Sequence, residues 1–144
     1  MRRLRFVTFL LVLLPLGAEA KSPRDSEKPT YAACMQRGSH AEVMDCMGAE
    51  YRRLKKLLDS ISDQLTAISE SDTRPALVAA QHQWAAYREA ECSYEGLEAG
   101  GTFGDEIGGD CQLRMTAQRI QDLHHFLDLE RAQIPTPRKP RAPK

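Results

Sequence analysis

The sequence predicts an all-α fold: a small helical bundle, stapled by disulfides, of three main helices and one short N-terminal helix. Three observations lead there. Apolar residues recur at steps of three and four, with no alternating strand pattern. Four cysteines fall into two local pairs, Cys34 with Cys46 and Cys92 with Cys111. All four follow an N-terminal export leader, and export delivers thiols to an oxidising compartment where they pair.

In the leader, Arg2, Arg3 and Arg5 form a positive start, Phe6 to Leu16 an apolar run of 11 residues, and Ala18-Glu19-Ala20 a small-x-small cleavage site. The run falls short of the roughly 18 apolar residues that a spanning helix needs. The mature chain is therefore expected to begin near Lys21, periplasmic or secreted and without a transmembrane span. No cysteine adjoins the cleavage site, which argues against a lipid anchor. Residues 1–20 read as signal peptide, 21–29 as a disordered linker, 30–130 as the helical domain, and 131–144 as a disordered, proline-rich basic tail.

Removing residues 1–20 leaves 17 basic and 19 acidic residues, and the tail beyond Ile134 carries four of the basic ones. The domain itself is therefore acidic, near −6. No basic patch is left to track nucleic acid, so that class of partner is excluded.

The first helix is expected over Thr30 to Arg37, stopped by Gly38. Ser39 then suits an N-cap with Glu42 three residues on, a capping box that opens the long helix. Met47, Tyr51, Leu54, Leu58, Ile61, Leu65 and Ile68 follow at alternating steps of four and three, one apolar stripe along its length. Ser69 to Arg74 is a polar break, and Pro75 suits the first turn of the next helix, where its missing N–H has no partner to lose. That helix, about Pro75 to Glu95, turns Leu77, Trp84, Tyr87 or Arg88, and Cys92 inward. Gly96, Gly100, Gly101, Gly104, Gly108 and Gly109 are expected to hold a loop open before Cys111. The last helix, about Cys111 to Leu129, carries Leu113, Thr116, Ile120, Leu123 and Leu127 on one stripe. Short connections make this an up-down bundle.

Four cysteines allow three pairings. The local one is favoured, because a break at Gly38-Ser39 folds the first helix back onto the second and brings Cys34 toward Cys46, while Cys92–Cys111 ties two successive helices together. Each closure of this length stabilises a fold by roughly 3 kcal/mol in the loop-entropy account. Zinc is the rival use of thiolates, yet no CxxC or metal-type His/Cys spacing appears, so neither metal nor cofactor is expected.

The most specific pattern is Gln81, Trp84, Tyr87, Arg88 and Cys92 in Q-H-Q-W-A-A-Y-R-E-A-E-C, followed by Cys111, Thr116 and Arg119 in C-Q-L-R-M-T-A-Q-R. With Met44-Asp45-Cys46 and Glu50-Tyr51 upstream, the chain from about Cys34 to Leu127 resembles the family of small secreted bacterial domains related to the lysozyme inhibitor LprI. The resemblance implies a non-enzymatic protein whose partner is a protein, lysozyme first, and a structural signature of Glu50, Gln81, Trp84, Tyr87, Arg88, Thr116 and Arg119. The chain departs from the family along the long helix, where Leu54, Leu57-Leu58 and Ile61 replace an acidic residue, a Leu-Asn pair and a Tyr.

Gln81, Trp84 and Arg88 fall at i, i+3 and i+7 on one helix face. A guanidinium on an apolar stripe is expected to reach a carboxylate or helix-end carbonyls, with Asp45 and Glu50 as the candidate partners. Arg88→Leu is then expected to abolish stable folding. Catalysis finds no constellation: Ser, His and Asp are scattered, and the adjacent His124 and His125 point about 100° apart on a helix. The glycine-rich segment lacks the ending of a phosphate loop and the ligand spacing of an EF-hand. It offers instead Phe103, Asp105 and Glu106 as a candidate partner-binding loop, anchored by a disulfide and acidic where lysozymes are commonly basic. The expected function is a binding protein that inhibits lysozyme and protects the cell wall. The alternative is a structural or assembly protein of the cell envelope; the oligomeric state stays open.

Overall fold

A computed structural model describes residues 31–133. The leader, the linker, Thr30 and the basic tail from Ile134 on lie outside the described residues. Four helices follow one another: α1 (Tyr31–Cys34), α2 (His40–Ile68), α3 (Arg74–Ala99) and α4 (Gly101–Gln133).

α1 is a single turn, shorter than its sequence pattern, because the chain turns away after Cys34, where the Arg37 N–H donates to the Cys34 carbonyl at 3.0 Å. The Cys34–Cys46 disulfide, with a Cα separation of 5.5 Å, then pins that turn onto α2. Ser39 has the extended backbone of an N-cap. Its Oγ accepts from the Glu42 N–H at 3.3 Å and donates to the Glu42 carboxylate at 2.8 Å, so one hydroxyl ties both groups of residue 42 to the helix start.

α2 has 29 residues, a rod of about 43 Å. Val43, Met47, Leu54, Leu58, Ile61 and Leu65 are buried along it, and Tyr51 and Ile68 are half-buried at the edge of the stripe. Its last carbonyls find a partner from the next element: Arg74 donates to the Thr66 and Ser69 carbonyls at 3.0 and 2.9 Å. α3 begins there, with Pro75 in its first turn.

The largest departure from the sequence pattern lies between Gly96 and Asp110. The glycines do not hold a loop open: α3 runs on to Ala99, and α4 begins at Gly101. The turn is confined to Gly100 and Gly101, whose φ values of 69° and 59° require glycine. The remaining glycines serve a close helix crossing. A Cβ on Gly104 would collide with the Gly96 carbonyl oxygen, one on Gly96 would stand 2.9 Å from the Gly104 carbonyl oxygen, and one on Gly108 would stand 3.1 Å from the Cys92 carbonyl oxygen. Glycine in a helix costs about 1 kcal/mol relative to alanine. Here the backbone-to-backbone approach and the Cys92–Cys111 bridge, with a Cα separation of 5.3 Å, offset that cost.

α4, 33 residues long, is the central helix. It packs along both α2 and α3, whereas α2 and α3 barely touch. Leu113, Thr116, Ala117, Ile120, Leu123 and Leu127 form its buried stripe. α2 and α4 run parallel: Gly109 lies over the Met47 thioether near one end, and Arg131 bonds Gln64 at 2.8 Å near the other. α4 thus continues three residues into the segment that reads as tail, with Arg131 holding its end to α2. No helix among the described residues is long and apolar enough to cross a membrane.

Candidate functional site

The helical registers bring five signature residues together where α3 crosses α2 and α4. Trp84 is half-buried against the core, and four residues on Arg88 is 8% exposed. The Arg88 guanidinium lies 5.0 Å from the Trp84 ring centre and 5.2 Å from that of Tyr51, and Nη1 donates to the Thr116 hydroxyl at 3.2 Å. Arg119, one turn beyond Thr116 on α4, sits 5.8 Å from the Trp84 ring and donates from Nε to Gln81 Oε1 at 2.8 Å. Gln81 donates in turn to Ser62 Oγ at 2.7 Å, and Ser62 to the Leu58 carbonyl at 2.8 Å. A guanidinium can be buried this way because ring faces attract the cation while they exclude water. Burial holds the Arg119 guanidinium below its ordinary value, partly offset by the Asp122 carboxylate, and it remains a cation at neutral pH.

The expected carboxylate partner of Arg88 is not used. Glu50 is buried but turned to Arg53, whose Nη2 and Nε donate to its two oxygens at 2.6 and 2.9 Å, and Asp45 is exposed. The sequence pattern left Tyr87 or Arg88 as the inward residue; Arg88 faces in, while Tyr87 is 56% exposed. Tyr51 and Ser62 also belong to the network, and the sequence alone gives no signal that they do. Tyr51 reads simply as a core residue, and Ser62 only as a hydroxyl beside Ile61 on the apolar stripe.

The proposed partner-binding residues separate. Phe103 is exposed near the hairpin tip. Asp105 and Glu106 face the start of α2, where His40 Nδ1 lies 3.0 Å from Glu106 Oε1 and Nε2 lies 3.6 Å from Asp105 Oδ2. Nearby, Asp110 and Glu95 share Arg114, which stands 3.8 Å from the first and 3.1 Å from the second. Burial raises the Asp110 carboxyl above its ordinary value; Arg114 opposes that shift and Glu95 adds to it.

Because α2 and α3 barely touch, a groove of about 650 Å³ opens between them over the glycine-rich face of α4. Met44, Gly48 and Tyr51 form one wall, Glu89 and Leu97 the other, and Asp105 closes one side. No group of three or more His, Cys, Asp or Glu side chains among the described residues could hold a metal ion.

Comparison with curated proteins and with solved structures finds no match. A profile of the family described as lysozyme inhibitor LprI matches residues 32–123. That span contains both disulfides and every member of the Arg88–Trp84–Thr116 and Arg119–Gln81–Ser62 networks, together with α3 and α4 as far as Leu123. On a match of that extent, the chain belongs to the LprI lysozyme inhibitor family.

Proposed function

We propose that this protein is exported, binds lysozyme and inhibits it without catalysis, protecting the cell wall. Membership of an inhibitor family carries the reading, since the matched span is the disulfide-stapled domain itself. Two features support it. The cysteines are all paired, which suits a protein that works outside the reducing cytoplasm. The acidic domain also favours encounter with a cationic enzyme. The tip of the α3–α4 hairpin, with Phe103, Asp105 and Glu106, is part of the surface offered to the partner. Gln81, Trp84, Arg88, Thr116 and Arg119 set the angle of α3 against the bundle and act on binding through that shape.

The test is a lysis assay, with the oxidised chain titrated against several lysozymes acting on cell walls and the reduced chain as control. Dose-dependent protection that disappears on reduction is expected. No protection from protein shown to be folded would overturn the lysozyme reading and make an envelope protein the partner to seek.

A further inference from the structure

Gly48 lies inside α2, in its third turn, where glycine costs about 1 kcal/mol relative to alanine. Unlike Gly96 and Gly104, it answers to no close packing: a Cβ there would meet only the far end of the exposed Arg52 side chain, at 3.4 Å. It does line the groove between α2 and α3, with Met44 and Tyr51 one turn before and after it. A side chain at position 48 would add bulk at the groove wall.

The chemistry of the groove is one-sided. Its lining includes the carboxylates of Glu89 and Asp105 and no Lys or Arg. From Glu89 to Asp110 the hairpin carries seven acidic residues and no basic one. Leu97 on one wall is 79% exposed, and the Met44 thioether on the other suits a partner of irregular shape. Asp105 already faces His40, whereas Glu89 is exposed and beside apolar wall residues, an arrangement that fits the aliphatic stem and charged head of Lys or Arg.

We infer that this groove is the docking site for a cationic, Lys- or Arg-bearing segment of a partner protein, and that Gly48 keeps it open. The inference rests on the inhibitor reading and narrows it: the contact surface is the α2–α3 groove rather than the opposite side of α4. Glu89, with no ion-pair partner among the described residues, supplies charge, and Leu97 and Tyr51 supply apolar contact.

Two probes test this separately from inhibition: a basic c-type lysozyme and a deca-arginine peptide, titrated by calorimetry onto the oxidised chain. The variants are Gly48→Leu, which fills the groove; Glu89→Lys, which reverses its charge; and Gln83→Leu, which adds apolar bulk at an exposed position outside it. Thermal melts confirm that each variant is folded. Gly48→Leu and Glu89→Lys are each expected to weaken binding of both probes by about tenfold or more, with Gln83→Leu binding as the parent does. Unchanged binding by folded Gly48→Leu and Glu89→Lys overturns the groove while leaving lysozyme binding intact. If the parent binds the peptide but not lysozyme, the inhibitor reading fails and the groove stands; binding of neither probe overturns the groove.

Discussion

Arg88 donates to the Thr116 hydroxyl at 3.2 Å while its guanidinium lies between the rings of Tyr51 and Trp84, and its buried Nε has no hydrogen-bond partner. A cation held by rings and one hydroxyl differs from one held by a carboxylate, because its removal leaves no buried anion behind.

Arg88→Leu is therefore expected to fold, in contrast to the loss of folding that a carboxylate partner would dictate. The loss is of two cation–ring contacts and of stem packing, about 2 kcal/mol. Thr116→Val keeps shape but strips the acceptor, and the cost of an unpaired donor, about 1–3 kcal/mol, makes it as harmful as the larger change. Urea melts of the two variants measure both values. An unfolded Arg88→Leu protein would show that an anion depends on Arg88 after all.

The α3–α4 crossing makes a second prediction, from glycines of opposite kinds. Gly104→Ala drives a methyl group into the Gly96 carbonyl, where backbone must move, and a loss of about 2 kcal/mol or more is expected despite alanine's better helix propensity. Gly48→Ala meets only a side-chain tip and is expected to gain about 0.5–1 kcal/mol. In a domain of this size each kcal/mol moves Tm by about 4–8 °C, so thermal melts separate the two in sign.

These same residues mark the limit of what the chain discloses locally. The α2 stripe, the Ser39 cap, Pro75 and the α4 stripe are legible because each follows from spacing within one helix. Gly96, Gly104 and Gly108 mislead because local propensity reads glycine as a break, whereas the α3–α4 backbone approach that requires it is tertiary. The partner of Arg88 was equally hidden: charge suggested Asp45 or Glu50, but Glu50 is satisfied from its own helix by Arg53, and the rings that replace it look like ordinary core residues. The membership of Gln81, Trp84, Arg88, Thr116 and Arg119 in one motif was legible; the relay through Ser62 needed the helix crossing.

The two disulfides are expected to contribute similarly to stability but differently to shape. Their sequence separations of 12 and 19 residues give about 3 kcal/mol each by loop entropy. Cys34→Ala/Cys46→Ala frees only a one-turn helix, so melts should show lower stability with the helical signal of α2 to α4 retained. Cys92→Ala/Cys111→Ala loosens the hairpin beside the groove, so the same loss of stability should come with faster amide exchange over residues 92–111. Hydrogen exchange on both double variants checks the contrast, and equal protection of the hairpin in the two would remove it.

Asp110 gives the pH dependence a sign. Burial is the largest cause of its raised pKa, with Glu95 adding to the shift and Arg114 opposing it, so the folded state holds the proton more tightly than the unfolded chain does. The carboxyl therefore costs stability once ionised. That cost is absent below the ordinary value of 3.8, grows as pH rises through the raised folded value, and is fully present above it. Asp110→Asn removes the titration, although it also weakens the 3.8 Å approach to Arg114. Its stability relative to the parent is expected to rise as pH climbs from the ordinary value of 3.8 through the raised folded value and to level off above it, as read from paired urea melts at a series of pH values. A difference that falls with pH would mean that Arg114 outweighs burial at this carboxyl, and that the ion pair, rather than desolvation, governs the end of the hairpin.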